Sequence, residues 1–152
     1  MKALSLSIFG AVALSLAVFG VAAAAGSPTS TTKVGTARTS LGRIIVDGRG
    51  HTLYLFEKDK HGRSACSGAC AAVWTPLLAH GKPIATSRAK KSLLGVIKRA
   101  DGRKQVTYAG HPVYRFVYDT KPGQTNGQGL VEFGGGWDVL APSGKKIEGG
   151  DD

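Results

Sequence analysis

Cysteine and methionine are scarce in this chain. Cys66 and Cys70 are the only cysteines and Met1 the only methionine. A soft-metal site would therefore have to rest on two thiolates and a histidine, since Met1 is expected to leave with an N-terminal signal and no other thioether exists. No histidine follows Cys70 directly, which excludes covalent haem attachment of the usual kind. No GxxxxGK[ST] loop, GxSxG elbow or HExxH pair occurs, so phosphate cradling, the serine-hydrolase elbow and the zinc-protease helix have no sequence basis. The glycine-rich stretch 123–136 has no clear helix after it and reads as turns between strands. Carboxylates are also few: ten Asp and Glu face twenty Lys and Arg, a formal net charge of +10. A basic surface of this kind favours anionic partners. The basic run Arg88, Lys90, Lys91, Lys98, Arg99, Arg103 and Lys104 carries no interleaved aromatics, which argues against a single-strand nucleic-acid site. It reads first as solvated surface and second as a polyanion footprint.

What is present begins with Lys2, an apolar run to about Val21 and the small residues Ala22, Ala23, Ala24 and Ala25. Charge, apolar core and small-residue end are the three regions of a secretory signal, expected over residues 1–25. The competing reading is an uncleaved anchor, since the run approaches the length of a membrane span. No cysteine lies near the cleavage point, so lipid attachment there has no acceptor. The processed protein is expected to be secreted or periplasmic, with no membrane span.

Residues 26–40 are rich in Ser, Thr and Gly and read as a flexible leader. Residues 41–144 contain an internal repeat. At an offset of 60, Gly42, Arg43, Val46, Gly50, His51, Tyr54, Phe56 and Asp59 meet Gly102, Arg103, Val106, Gly110, His111, Tyr114, Phe116 and Asp119. Each copy then reaches one tryptophan, Trp74 or Trp137. The copies cover about 41–80 and 93–144, and 145–152 reads as a polar tail. Arg43-Ile44-Ile45-Val46, an Asp-Gly turn and a strand from His51 to Phe56 make a hairpin in the first copy. The second reads as a three-stranded meander over 95–99, 104–108 and 111–118, followed by a strand at 137–140. A short helix is expected over 65–73, stopped by Pro76, and a helical turn near 87–94. The fold class is mainly β: two tandem pseudo-equivalent hairpin or meander units, one short helix around the CxxxC, and a single shared core.

The pattern Tyr-x-Phe-x-x-Asp, at Tyr54, Phe56 and Asp59 and again at Tyr114, Phe116 and Asp119, resembles a family of secreted-repeat proteins with a Yx(F/W/Y)xxD motif. Many of its members are predicted lipoproteins. The stretches Cys66-Ser67-Gly68-Ala69-Cys70-Ala71-Ala72-Val73-Trp74, Gln105-Val106-Thr107-Tyr108-Ala109-Gly110-His111-Pro112 and Thr125-Asn126-Gly127-Gln128-Gly129 resemble it too. The chain departs from the family in having Thr75-Pro76 where two prolines are common, and in lacking a lipobox cysteine. The resemblance implies an envelope or secreted location and a tandem repeat. It implies no reaction.

Three readings of Cys66 and Cys70 stay open. An exported pair meets an oxidising compartment, and a structural disulfide leads; Gly68 between them allows the turn that such close spacing needs. The alternative is a redox or copper-handling protein: Cys66, Cys70 and His61 as ligands for copper, or a dithiol activated by Lys60, His61 and Arg63. His51 and His111 are repeat-equivalent and read as strand-start residues bonded to backbone, with a ligand or acid–base pair as the sharper reading. Asp59 and Asp119 read as turn caps, or as paired catalytic carboxylates if the halves bring them together. Tyr54, Phe56, Tyr114, Phe116, Trp74 and Trp137 are expected in the core, with an aromatic cleft between the halves as the alternative. The functional expectation is a non-enzymatic exported module without cofactor, binding an anionic envelope polymer or another envelope protein.

Overall fold

The computed structural model describes residues 30–60 and 62–148. The expected signal lies outside them. The chain is built from short strands, in order β1 (Lys33–Thr39), β2 (Gly42–Asp47), β3 (Tyr54–Phe56), helix α1 (Ala69–Val73), β4 (Trp74–Pro76) and β5 (Ile84–Ala85). The second half adds β6 (Leu94–Lys98), β7 (Lys104–Tyr108), β8 (His111–Pro112), β9 (Tyr114–Phe116), β10 (Leu130–Glu132) and β11 (Gly135–Val139). The helical turn expected near 87–94 is one 3-10 turn at Lys91–Leu93.

For Lys33–Thr39, β1 corrects the expectation of a flexible leader over 26–40, of which 26–29 lie outside the described residues. It pairs with β2 over six positions, from Val34 opposite Asp47 to Thr39 opposite Gly42, and with β5 in parallel. Thr39 Oγ1 donates to the Gly42 carbonyl and accepts the Leu41 N–H, closing the Ser40-Leu41 turn. Val34 is fully buried. A Ser/Thr-rich composition resembles a linker, yet threonine and valine are also good strand residues once a partner strand exists. The first half is thus a meander like the second, with β1 the counterpart of β6. Gly35 and Gly95 stand 60 apart, each with a threonine hydroxyl 2.7 Å from where a Cβ would be.

The tail expectation is also corrected for 145–148. The Ile147 N–H bonds the Val139 carbonyl, Lys146 bridges to Leu140, and Ile147 packs on the core.

The central sheet runs β10-β11-β3-β9-β4. Tyr54 of β3 faces Tyr114 of β9, so the two equivalent strands pair antiparallel at the same residue. A local two-fold passes between them. Strand exchange follows: β11 of the second half flanks β3 of the first, and β4 of the first half flanks β9 of the second. Side chains alternate across this sheet. Tyr54 and Phe56 join Cys66, Cys70, Trp74, Tyr114, Phe116 and Trp137 on one face. Leu55 joins Leu53, Ile45, Leu77, Val106, Tyr108 and Leu140 on the other. Both clusters draw on both halves.

The constant offset of 60 does not hold through the strand before Tyr54. In the second half Tyr108 faces His111 across a two-residue turn, with Ala109 at φ 50° and Gly110 at φ 81°, the positive-φ pair of a type I′ hairpin. In the first half the Asp47 N–H bonds the His51 carbonyl with three residues between. One extra residue shifts the register, so Ile45 corresponds to Val106. Leu53 N–H bonds the Ile45 carbonyl as Val113 N–H bonds that of Val106.

Candidate functional site

The shared motif has a structural reading built from the local two-fold. Each half supplies a tyrosine to the aspartate of the other. Tyr54 donates its hydroxyl to Asp119 Oδ2 at 2.6 Å, and Tyr114 donates to Asp59 Oδ2 at 2.8 Å. Each aspartate turns its other oxygen to its own loop: Asp59 accepts the Ala65 N–H and Asp119 the Asn126 N–H. Burial pushes both carboxyls above their ordinary range and both phenols well above theirs. The aspartates therefore do more than cap turns; they join the halves. Both are already engaged by tyrosine and backbone, which leaves neither arranged as a free acid–base pair.

Beside this cross lies an aromatic stack with the same symmetry. Trp74 and Trp137 lie face to face with centroids 3.9 Å apart, Phe56 caps Trp137 at 4.1 Å and Phe116 caps Trp74 at 4.3 Å. Each tyrosine meets the tryptophan of its own half edge-on at 5.2 Å. All six are buried, so the expected core is present and the space between the halves is filled rather than open. Gly127 fits because a Cβ there would stand 2.6 Å from the Trp74 ring; its N–H donates to the Tyr54 hydroxyl. Glu132, which the sequence reading missed, accepts the Trp74 indole N–H on its carboxylate and that of Trp137 on its carbonyl.

Cys66 and Cys70 form a disulfide with Cα atoms 5.3 Å apart. Cys66 precedes the helix, and Gly68 at φ 55° turns the chain into it. Both cysteines are buried against the aromatic cluster. Arg99 holds this loop from the other half, donating to the Cys66 carbonyl at 2.6 Å, Ser64 Oγ at 2.9 Å and Gln105 Oε1 at 2.6 Å. Arg99 is thus no part of a solvated basic run; it is buried, and its charge is spent on the core. The bridged sulfurs present no thiolates, and His61 lies outside the described residues. Among the described residues no His, Cys, Asp and Glu cluster of metal-binding size occurs.

His51 and His111 are placed separately. His51 Nδ1 lies 3.3 Å from the Asp119 carbonyl. His111 is half-buried at the rim of a cleft with Asp59, and burial lowers its pKa.

Another concavity among the described residues, a groove of about 820 Å³, lies between the start of β1, the 47–49 turn and β4. Lys33, Arg49, His80 and Arg115 line it, with Asp47 as its carboxylate. Asp47 Oδ1 accepts the N–H groups of Arg49 and His51, while Oδ2 meets Arg115 Nε at 2.6 Å. No motif in the sequence points to this groove. Its signal was the difference between the copies, Arg115 standing where the first copy has Leu55.

A family described as a secreted repeat of unknown function matches residues 35–78 and again 95–141, more than half of the chain. The chain belongs to that family. The two matches begin at Gly35 and Gly95, the equivalent glycines of β1 and β6, so the family repeat is the meander followed by its tryptophan strand. No curated protein and no solved structure matches the chain. No helix among the described residues is long and apolar enough to cross a membrane.

Proposed function

We propose that the protein is an exported, non-enzymatic module that holds an anionic polymer of the cell envelope on its cationic surface. The export signal expected over 1–25, membership of a secreted-repeat family and a disulfide that persists in oxidising compartments support the location. One observation carries the binding reading. Among the described residues every carboxylate except Glu148 is occupied inside the protein: Asp47 by Arg115, Glu57 and Asp138 by Lys146, Asp59 and Asp119 by tyrosines, Asp101 by Arg103, and Glu132 by Trp74. The only cations in ion pairs there are Arg99, Arg103, Arg115 and Lys146. The remaining described Lys and Arg, out of twenty in the whole chain, have no anionic partner among those residues. Such a surface raises the local concentration of polyanions and speeds their capture.

Binding to polyglutamate and to polyphosphate, each against an uncharged polysaccharide, tests the reading. Affinity for the charged polymers should fall as salt shortens the screening length. Lys33→Ala with Arg49→Ala should weaken it further. Equal binding to the uncharged polymer, or none to either polyanion at low salt, would sink the proposal.

A further inference from the structure

The duplication supplies an internal control for the groove. Arg115 sits midway along β9, opposite Thr75 of β4. Its counterpart in the first half is Leu55. Asp47 likewise stands where the second half has Tyr108, since each precedes its histidine across the hairpin turn. Leu55 and Tyr108 are buried in one apolar cluster. The fold therefore accepts apolar side chains at these positions and uses them at the two-fold-related ones, Leu55 from the first half and Tyr108 from the second. Here the pair is replaced by charges, with the Asp47 side chain only 2% exposed. An ion pair buried in place of apolar side chains seldom gains stability, so packing alone does not account for it.

The geometry gives it a use. The backbone N–H groups of Arg49 and His51 fix Asp47 Oδ1, and Oδ2 then holds Arg115 Nε. The Nε contact is close but lacks hydrogen-bond alignment. The two terminal nitrogens of Arg115 have no partner among the described residues, and the side chain is 38% exposed on the groove. A planar guanidinium fork held from behind presents two parallel donors, the arrangement that matches a phosphate or carboxylate. Lys33 and Arg49 on the surrounding walls leave the neighbourhood cationic.

We infer that Arg115, positioned by Asp47, is an oxyanion-binding residue that takes a phosphate or carboxylate group of a polyanion lying in this groove. This rests on the polyanion reading above, and the test separates the two. Inorganic phosphate and acetate are titrated into the full-length protein while the Arg115 Nε–Hε resonance is followed by NMR. A saturable shift is expected, larger for whichever anion matches the natural ligand, with the exposed Arg38 on β1 moving only weakly and linearly. An Arg115 resonance that stays still, or merely tracks Arg38, overturns the inference.

The second arm is Asp47→Asn with Arg115→Leu, which removes one charge of each sign and leaves the net charge unchanged. The amide that replaces the Asp47 carboxylate keeps the oxygen that caps the turn. Polymer binding by this variant should weaken about tenfold, the loss of a charge-assisted hydrogen bond. Wild-type affinity in it overturns the role of Arg115 and leaves general surface charge as the binding force. If the double variant does not fold, Arg115→Lys, which keeps the charge and loses the fork, should show the same weakening. If neither polymer binds but phosphate or acetate still saturates the Arg115 resonance, the polymer reading fails and the oxyanion site stands.

Discussion

At the scale of single residues, the Tyr54–Asp119 and Tyr114–Asp59 bonds combine two opposed terms. Burial penalises the charged carboxylate, while the tyrosine hydroxyl and a loop N–H satisfy it. Tyr54→Phe removes a donor and leaves Asp119 with its desolvation cost, so about 1–3 kcal/mol of stability should be lost in urea unfolding. Adding Asp119→Asn should restore part of it, and a fully additive double variant would refute the coupling. The pH dependence has a definite sign. Asp59 and Asp119 have folded-state values raised above the unfolded ones, so their protonation favours the folded protein. That contribution is full below the ordinary carboxylate range, about pH 4, and is lost as pH rises through the raised values. Asp101, held at about 2 by the Arg103 guanidinium, contributes the other way. Its stabilisation is present above the ordinary range and lost as pH falls toward 2, but the pair lies on the surface and is screened by salt. Between pH 7 and about pH 4, wild-type Tm should therefore gain on that of Asp59→Asn with Asp119→Asn. A Tm difference that stays flat, or shrinks, over that window would contradict the assignment.

At the scale of elements, what was legible depended on local signal. The Asp47-Gly48 and Ala109-Gly110 turns, the alternation of Tyr54 and Phe56 around Leu55, and the alanine-rich helix ended by Pro76 each carry their cause within a few residues, and each was readable. The helix spans Ala69–Val73 and not the expected 65–73, because the turn at Gly68 delays its start. β1 was not legible because its cause is distant: Val34 is buried only when β2 and β5 flank it. The one-residue difference between the hairpin turns was hidden for another reason. Val46 aligns with Val106 in sequence, and only the hydrogen bonds reveal that they lie in different clusters. β1 yields a sharp test. A chain beginning at Leu41 would lose nothing if residues 26–40 were a leader. With β1 paired to β2 over six positions, the truncated chain should lose its cooperative unfolding transition or melt far below the chain beginning at Ser30. Circular dichroism of the two forms decides the matter.

At the scale of the whole molecule, the single shared core expected of the two copies is built by strand exchange and not by packing one finished unit against another. Each half sends its tryptophan strand to the Tyr-x-Phe strand of the other, each tyrosine finds its aspartate across the two-fold, and Arg99 reaches from the second half to the loop of Cys66 in the first. The repeat could be read from sequence, but which copy pairs with which could not, since the motif has the same spacing whether the contacts run within a half or between halves. The distinction has consequences for folding. An isolated half would leave its three-residue Tyr-x-Phe strand without neighbours and expose Phe56 and Trp74, or Phe116 and Trp137, each side chain costing roughly 1.5–3 kcal/mol. That loss rivals the entire stability of a domain this size. Fragments 30–87 and 88–148, divided between the exposed Ser87 and Arg88 in the connection between halves, should each be unfolded alone. Mixed in equal amounts they should associate one to one and recover the near-ultraviolet dichroism of the stacked tryptophans. A cooperative transition with native aromatic signal in either fragment alone would show that the halves are separable units and that the exchanged sheet is not what holds them together.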